Sequence, residues 1–342
     1  MSMAMKKLFL ASILILFFSI SANSKNFKRV ENSEEGYLNW MKRMSSRNHS
    51  NFMEAKNKFR PCKIIKVDQN PKFGDFISVK KAINSIPLFN PCRVVISVGP
   101  GTYREKIEIP ATMAYVTLEG AGAARTIIRW DDTADRVGLN KQPLEQKAPP
   151  PPAGATGKQA VALRISADMA AFINCKFVGA QDTLYDHKGR HYFKNCHIQG
   201  SVDFIFGNGL SLYEGCHLHA KTNTYGALTA QKRESMLEET GFSFVNCQVT
   251  GSGALYLGRA WGTFSRVVFA YTYMDKIITP RGWYDWGDKQ RQMTVFYGQF
   301  KCSGPGADYG GRVSWARELT KQEAEPFISL SFIDGHQWLT SF

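Results

Sequence analysis

The chain lacks the patterns that announce the commonest chemistries. It has no G-x-S-x-G elbow, which argues against a serine triad on an α/β-hydrolase sheet. It has no G-x-G-x-x-G and no P-loop, so no cofactor is implied. No zinc-finger, RRM or homeodomain pattern is present, which argues against nucleic acid as a partner. His217 and His219 fall on one side of a strand, but no third ligand accompanies them and no metal is implied. Acidic side chains are scarce, 29 against 43 Lys and Arg, for a formal charge of +14. Long apolar runs are missing too. The longest, Leu8 to Ile20, has 13 residues, where a bilayer core needs about 20.

That short run has the form of a secretory leader: Lys6 and Lys7 precede it and the small polar residues Ser21 to Ser24 follow. The expected organisation is therefore a signal peptide at 1–24, an N-terminal helical or extended segment at 25–60 with a helix near 34–44, and one main domain at 61–342. The destination is extracellular, with no membrane span. The excess of basic side chains points to a polyanionic partner, and outside the cell an acidic polysaccharide fits better than nucleic acid. The sequon at Asn48 is compatible with the same route.

The main domain contains a repeat. AFINCKFVG from Ala171, YFKNCHIQG from Tyr192, LYEGCHLHA from Leu212 and SFVNCQVTG from Ser243 share an aromatic, then a cysteine, then an apolar residue two positions on. A degenerate fifth copy runs through Phe269 and Met274. A period in the twenties with alternating apolar positions describes a solenoid of strands, each paired with the next repeat about 4.8 Å away. The fold class follows as all-β, a right-handed parallel β-helix with short N-terminal helices. One helix is expected near Asp75, capped by that residue and closing the N-terminal end of the coil. Cys175, Cys196, Cys216 and Cys247 share one rung position, where their Cβ vectors run parallel and suit a disulfide poorly; buried thiols are expected, with Cys62 and Cys92 as a separate candidate pair.

Asp182 lies seven residues after Cys175, and Asp203 seven after Cys196. The two carboxylates should emerge one strand spacing apart on one face. Two like charges so close cannot both ionise freely, so one becomes a neutral acid and the other a carboxylate, the division that acid and nucleophile roles need. Asp203 sits in the apolar run SVDFIFG, where an idle carboxylate would be costly.

GAQDTLYDH around Asp182, GSVDFIFGN around Asp203, GKQAVALR from Gly157, LGRAW from Leu257, GTYRE from Gly101 and GWYDW from Gly282 resemble the plant pectin methylesterase (pectinesterase) family, over roughly Val67 to Val313. The resemblance implies removal of methyl groups from methyl-esterified homogalacturonan in the cell wall, releasing methanol. It gives Asp203 as nucleophile, Asp182 as acid and then base, Gln159 and Gln181 as oxyanion donors, and Arg259 as the group that keeps Asp203 ionised. Among the aromatics Trp261, Trp283, Trp286, Tyr185 and Phe206 it favours Trp261 and Trp283 beside the cleft. It implies a secreted monomer, with a proteinaceous pectinesterase inhibitor as a further partner.

The sequence departs from the family in three ways. Ala260 replaces the usual proline of LGRAW, which would loosen the segment presenting Arg259. The stretch from Asp131 to Lys158 is about one coil short, so that the strand ending near Ile128 and the strand beginning near Ala160 become neighbours at an imperfect junction. The inhibitor-like pro-region of many relatives is not expected here, since residues 25–60 are too short for it. Two other readings stay open at this point: a pectin glycoside hydrolase, since two carboxylates about 5 Å apart also suit a retaining mechanism, and a non-catalytic or weakly active wall-binding relative.

Overall fold

The structure, a computed structural model, describes residues 61–130 and 159–339. The expected leader, the 34–44 helix, the sequon at Asn48 and the stretch 131–158 lie outside these residues.

The described chain winds as a parallel β-helix, and a typical coil carries three strands. Arg190–Lys194 lies on the first face, His197–Gly200 on the second and Ile205–Gly207 on the third. Each pairs in parallel with its equivalents one coil away: Phe193 with Phe172 and Tyr213, Ile198 with Phe177 and Leu218, and Ile205 with Leu184 and Thr229. The first faces form a ten-stranded sheet. The second and third merge into a twelve-stranded one, because the long strands His217–Gln231 and Gln248–Ala260 run round the corner between them.

The repeat builds the interior. Its aromatics stack in register, Phe172 on Phe193, Phe193 on Tyr213, Tyr213 on Phe244 and Phe244 on Phe269, with ring centroids 4.5 to 4.7 Å apart. The fifth copy is therefore real, and Met274 pairs with Val249 as its second-face residue. The corner between first and second faces needs a left-handed backbone. Asn174, Asn195 and Asn246 have φ of 56°, 51° and 54°, and Gly215 takes the same place with φ 62°. Asn and Gly are the residues that reach this region at least cost. The four ladder cysteines are buried free thiols. Each donates to a carbonyl of the preceding coil, Cys196 Sγ to Phe172 O at 3.4 Å and Cys247 Sγ to Tyr213 O at 3.4 Å. Cys62 and Cys92 form a disulfide.

Two expectations are corrected. The helix runs Val79–Asn84 with Ser78 as its cap, accepting from Lys81 N; Asp75 instead accepts from Lys66 N at 2.8 Å. Ser78 prevails because Glu105, on the coil, accepts from Ser78 Oγ, Val79 N and Lys80 N together and gathers the free N–H groups of the first turn. The second concerns the short coil. The strand Thr126–Arg129 pairs with Lys176–Val178, and Leu163–Ile165 pairs with Ile107–Ile109. The strands near Ile128 and Ala160 lie on different faces, so they are not ladder neighbours. The described chain leaves the second face at Arg129 and resumes on the third at Leu163, and the first-face ladder continues directly through Leu118 and Phe172. Leu118, Ile128, Phe172 and Phe177 there are fully buried, so the expected imperfection is not visible in the ladders.

Candidate active site

Leu184 pairs with Ile205 and Tyr185 with Phe206, an offset of 21 that sets Asp182 against Asp203 at the corner leading into the third face. The two backbones are tied there by Asp182 N donating to Val202 O at 3.1 Å. Both aspartates are left-handed, with φ of 63° and 49°. Aspartate tolerates this conformation better than most residues, and its repetition on two adjacent coils marks a local geometry kept at some cost.

The surroundings of the two carboxyls differ. Arg259 reaches Asp203 with two prongs, Nε donating to Oδ1 at 2.9 Å and Nη2 to Oδ2. Burial pushes the Asp203 carboxyl up, and the arginine pulls against it. Asp182 has no such ion pair among the described residues. Burial, reinforced by the charge of Asp203, raises it from the usual carboxylate value to about 8, with only a distant opposing effect from Arg259. Asp203 therefore ionises first, and at neutral pH Asp182 keeps its proton.

Arg259 is itself well held. Its guanidinium carbon lies 4.2 Å from the Trp286 ring centroid, a stacking arrangement that fixes the fork's plane. Ala260 does not leave it on a loose loop. The residue is buried at the end of Gln248–Ala260, and Arg291 Nη1 donates to the carbonyls of Ala260 and Trp261. Gln159 and Gln181 stand in register on neighbouring coils, joined by Ala160 N donating to Gln181 O at 3.1 Å, and both side chains are half-buried.

The aromatics sort less evenly. Tyr185 stacks on Phe206 at 4.4 Å, and Phe206 meets Trp261 at 6.1 Å; Tyr185 and Trp261 are half-buried and Phe206 nearly covered. These three form a continuous aromatic surface beside the aspartates. Trp283 does not belong to it. It is 0% exposed and stacks on Tyr297 at 4.1 Å inside the coil, against the hydrogen of Gly258, where a Cβ would sit 3.0 Å from its ring. Trp286, three residues on, is the exposed member of the pair at 36%. Replacing Trp283 with alanine should cost about 3–5 kcal/mol of stability, whereas Trp286→Ala should leave the melting temperature nearly unchanged and lower turnover through Arg259. Thermal melts and methanol release on the two variants check this, and the reverse pattern would return Trp283 to the cleft.

Two side chains escaped the sequence reading, and a third, Trp286, was named there only among the candidate aromatics; its place over Arg259 shows only in space. Arg164 lies within GKQAVALR, outward between the buried Leu163 and Ile165, so the strand alternation did carry a signal. Lys232, 4.7 Å from the Trp261 ring centroid, had none. His217 and His219 both meet the Thr250 hydroxyl, at 2.7 and 2.9 Å.

Comparison with known proteins agrees with this geometry. The Pectinesterase family model matches residues 65–139 and 151–336. Pectinesterase QRT1 of Arabidopsis thaliana is 43% identical over 300 residues, covering 81% of this chain and 79% of that protein. Pectinesterase 31 of the same plant is 41% identical over 308 residues, covering 81% and 95%. The solved structure of pectin methylesterase from carrot superposes with a TM-score of 0.68 at 29% identity, covering 82% of this chain and 95% of its own. A match that runs through the coils carrying both aspartates and Arg259 means that this chain belongs to the pectinesterase family and is a carboxylic ester hydrolase.

Proposed function

We propose that the chain hydrolyses methyl esters of homogalacturonan with Asp203 as nucleophile and Asp182 as proton carrier. The observation that carries the reading is the asymmetry of the pair: Arg259 grips Asp203 at two points, while Asp182 beside it is held up at about 8. In the first half-reaction an Asp203 oxygen attacks the ester carbonyl carbon and forms a tetrahedral oxyanion, towards which the amides of Gln159 and Gln181 donate. The carbon–methoxy bond breaks, Asp182 gives its proton to the departing methoxide, and methanol leaves an acyl anhydride on Asp203. In the second, the Asp182 carboxylate takes a proton from water. The resulting hydroxide attacks the same carbon, releases Asp203 and leaves a galacturonate carboxyl.

The glycosidase reading is less favoured. A retaining glycosidase also needs a nucleophile and an acid, but the amide pair beside the aspartates suits an acyl oxyanion better than an oxocarbenium centre. Assay of the purified protein on highly esterified pectin for methanol and for reducing ends tests the choice. Methanol without new reducing ends supports the esterase, and new reducing ends would overturn it. Retention on pectin without either product would favour the wall-binding alternative.

In this reading the chain is secreted into the cell wall and works as a monomer, and a proteinaceous inhibitor would act by covering the same face. The excess of basic side chains holds it on its own acidic product. Retention on a de-esterified pectin column should therefore fall steeply with salt, since exposed charges are screened beyond about 8 Å at physiological ionic strength. Retention that does not change with salt would assign binding to stacking instead.

A further inference from the structure

The second face carries a surface that the ester chemistry leaves unused. Register pairing sets Lys176, His197, His217, Gln248 and Tyr273 side by side on successive strands. Burial alternates along these strands, with Phe177, Ile198, Leu218 and Val249 inside, so the row faces outward. His219 and Thr250 pair in the next outward row. The three imidazoles form one cluster, with ring centroids 4.7 Å apart for His197 and His217, 5.6 Å for His217 and His219, and 5.9 Å for His197 and His219.

No carboxylate enters this cluster. Among the described residues the charged groups that bear on the rings are Lys176, Lys221 and the rings themselves. Burial first, and then these charges, hold all three imidazoles below the ordinary range. His197 goes furthest, to about 3, and its Nε2 is buried with no partner among the described residues. It stays neutral and packs edge-on against His217. The other two share the Thr250 hydroxyl, His217 through Nε2 at 2.7 Å and His219 through Nδ1 at 2.9 Å. A hydroxyl has one proton and two lone pairs, so it serves two neutral rings as donor to one and acceptor from the other, and accepts from both when both are charged. Protonation therefore breaks neither contact. What the charged pair lacks, among the described residues, is a counter-anion.

We infer that this surface holds a stretch of de-esterified homogalacturonan along the helix axis, with His217 and His219 as pH-dependent contacts and Lys176 as a constant one. The choice of polyanion rests on the esterase reading, whose product it is. Strands recur about every 4.8 Å along the axis, close to the rise of one sugar in an extended chain, so successive carboxylates meet successive strands. Tyr273, 39% exposed at the end of the row, offers its ring to a pyranose face. A carboxylate beside the imidazoles favours their charged form, while galacturonate, an ordinary carboxylic acid, stays ionised down to about pH 4. Binding therefore tightens as pH falls from about 7 to about 5. Such a grip keeps the chain on polymer it has de-esterified while the aspartates address another stretch.

The test is titration of the full chain with fully de-esterified polygalacturonate, near pH 7.5 and near pH 5 at one low ionic strength. The wild-type dissociation constant should fall about three- to tenfold on acidification, the range of two half-exposed charge contacts. Asp182, which gains its proton near 8, adds to that trend, so the variants decide. Replacing both rings, His217→Gln with His219→Gln, should remove most of the acid gain and leave affinity near pH 7.5 within about twofold of the wild type. His219→Lys should bind as tightly near pH 7.5 as the wild type does near pH 5, an increase that misfolding cannot produce. Lys176→Gln should weaken binding at both pH values. An acid gain that persists in the double variant, or no increase in His219→Lys, would overturn the surface. No methanol from esterified pectin in a parallel assay would overturn the esterase reading and leave the binding result standing.

Discussion

Asp203→Ala is expected to lower methanol release at least about ten-thousandfold, the scale seen when a covalent nucleophile is deleted. The geometry leaves no substitute. Asp182 is held at about 8 and carries a proton when the nucleophile must be anionic, and among the described residues no other carboxylate is gripped by Arg259. Pectin retention should survive, because Tyr185, Phe206 and Trp261 remain. Stability should fall as well. Removing one partner of a largely buried ion pair leaves Arg259, with 18% of its side chain exposed, beside an empty pocket. The variant therefore needs a melting curve beside the assay. Folded protein that binds pectin without releasing methanol supports the nucleophile, and near-normal release would remove Asp203 from that role.

Asp182→Asn should separate catalysis from stability in opposite directions. An amide cannot protonate the departing methoxide, so kcat should fall by about two to four orders of magnitude while KM changes little. Stability should rise. The Asp182 carboxyl is raised from 3.8 to about 8 by burial and by Asp203, so between these values the folded chain holds a proton that the unfolded chain has lost. The stability contributed by that proton is complete below about pH 4 and is lost as pH climbs through about 8. Asparagine escapes the loss, and Asp182→Asn should be more stable than the wild type by on the order of 2 kcal/mol near pH 8 and equal to it near pH 3.5. The same titration sets the alkaline limb of the wild-type rate, which should decline through about pH 8. Denaturant unfolding at both pH values checks the claim. A variant less stable at pH 8 than at pH 3.5, relative to the wild type, would mean that Asp182 is ionised in the resting site.

The amino-acid sequence by itself determined everything in this protein that repeats. The coil follows from four copies of one pattern, because a strand's burial alternates with period two and a solenoid forces equivalent residues into line. That logic put Asp182 beside Asp203, stacked Phe172 on Phe193 and kept the cysteines apart as thiols. Arg259 was reached only through the resemblance of LGRAW to the family. What does not repeat was decided by tertiary structure. Trp283 and Trp286 share one motif, yet the first is core and the second faces Arg259. The strand there is only Trp283–Tyr284, too short for alternation to declare an inward side. The helix cap passed from Asp75 to Ser78 because Glu105, 27 residues further on, converged on the same turn. The short coil was legible as missing length, but its length does not say which faces meet; the strands resumed their own ladders because hydrogen-bonded register is set face by face. Arg164, beside Tyr185, and Lys232, beside Trp261, lie 68 positions apart in the chain and flank one aromatic surface only because successive coils lay distant segments side by side, a juxtaposition that no local pattern encodes.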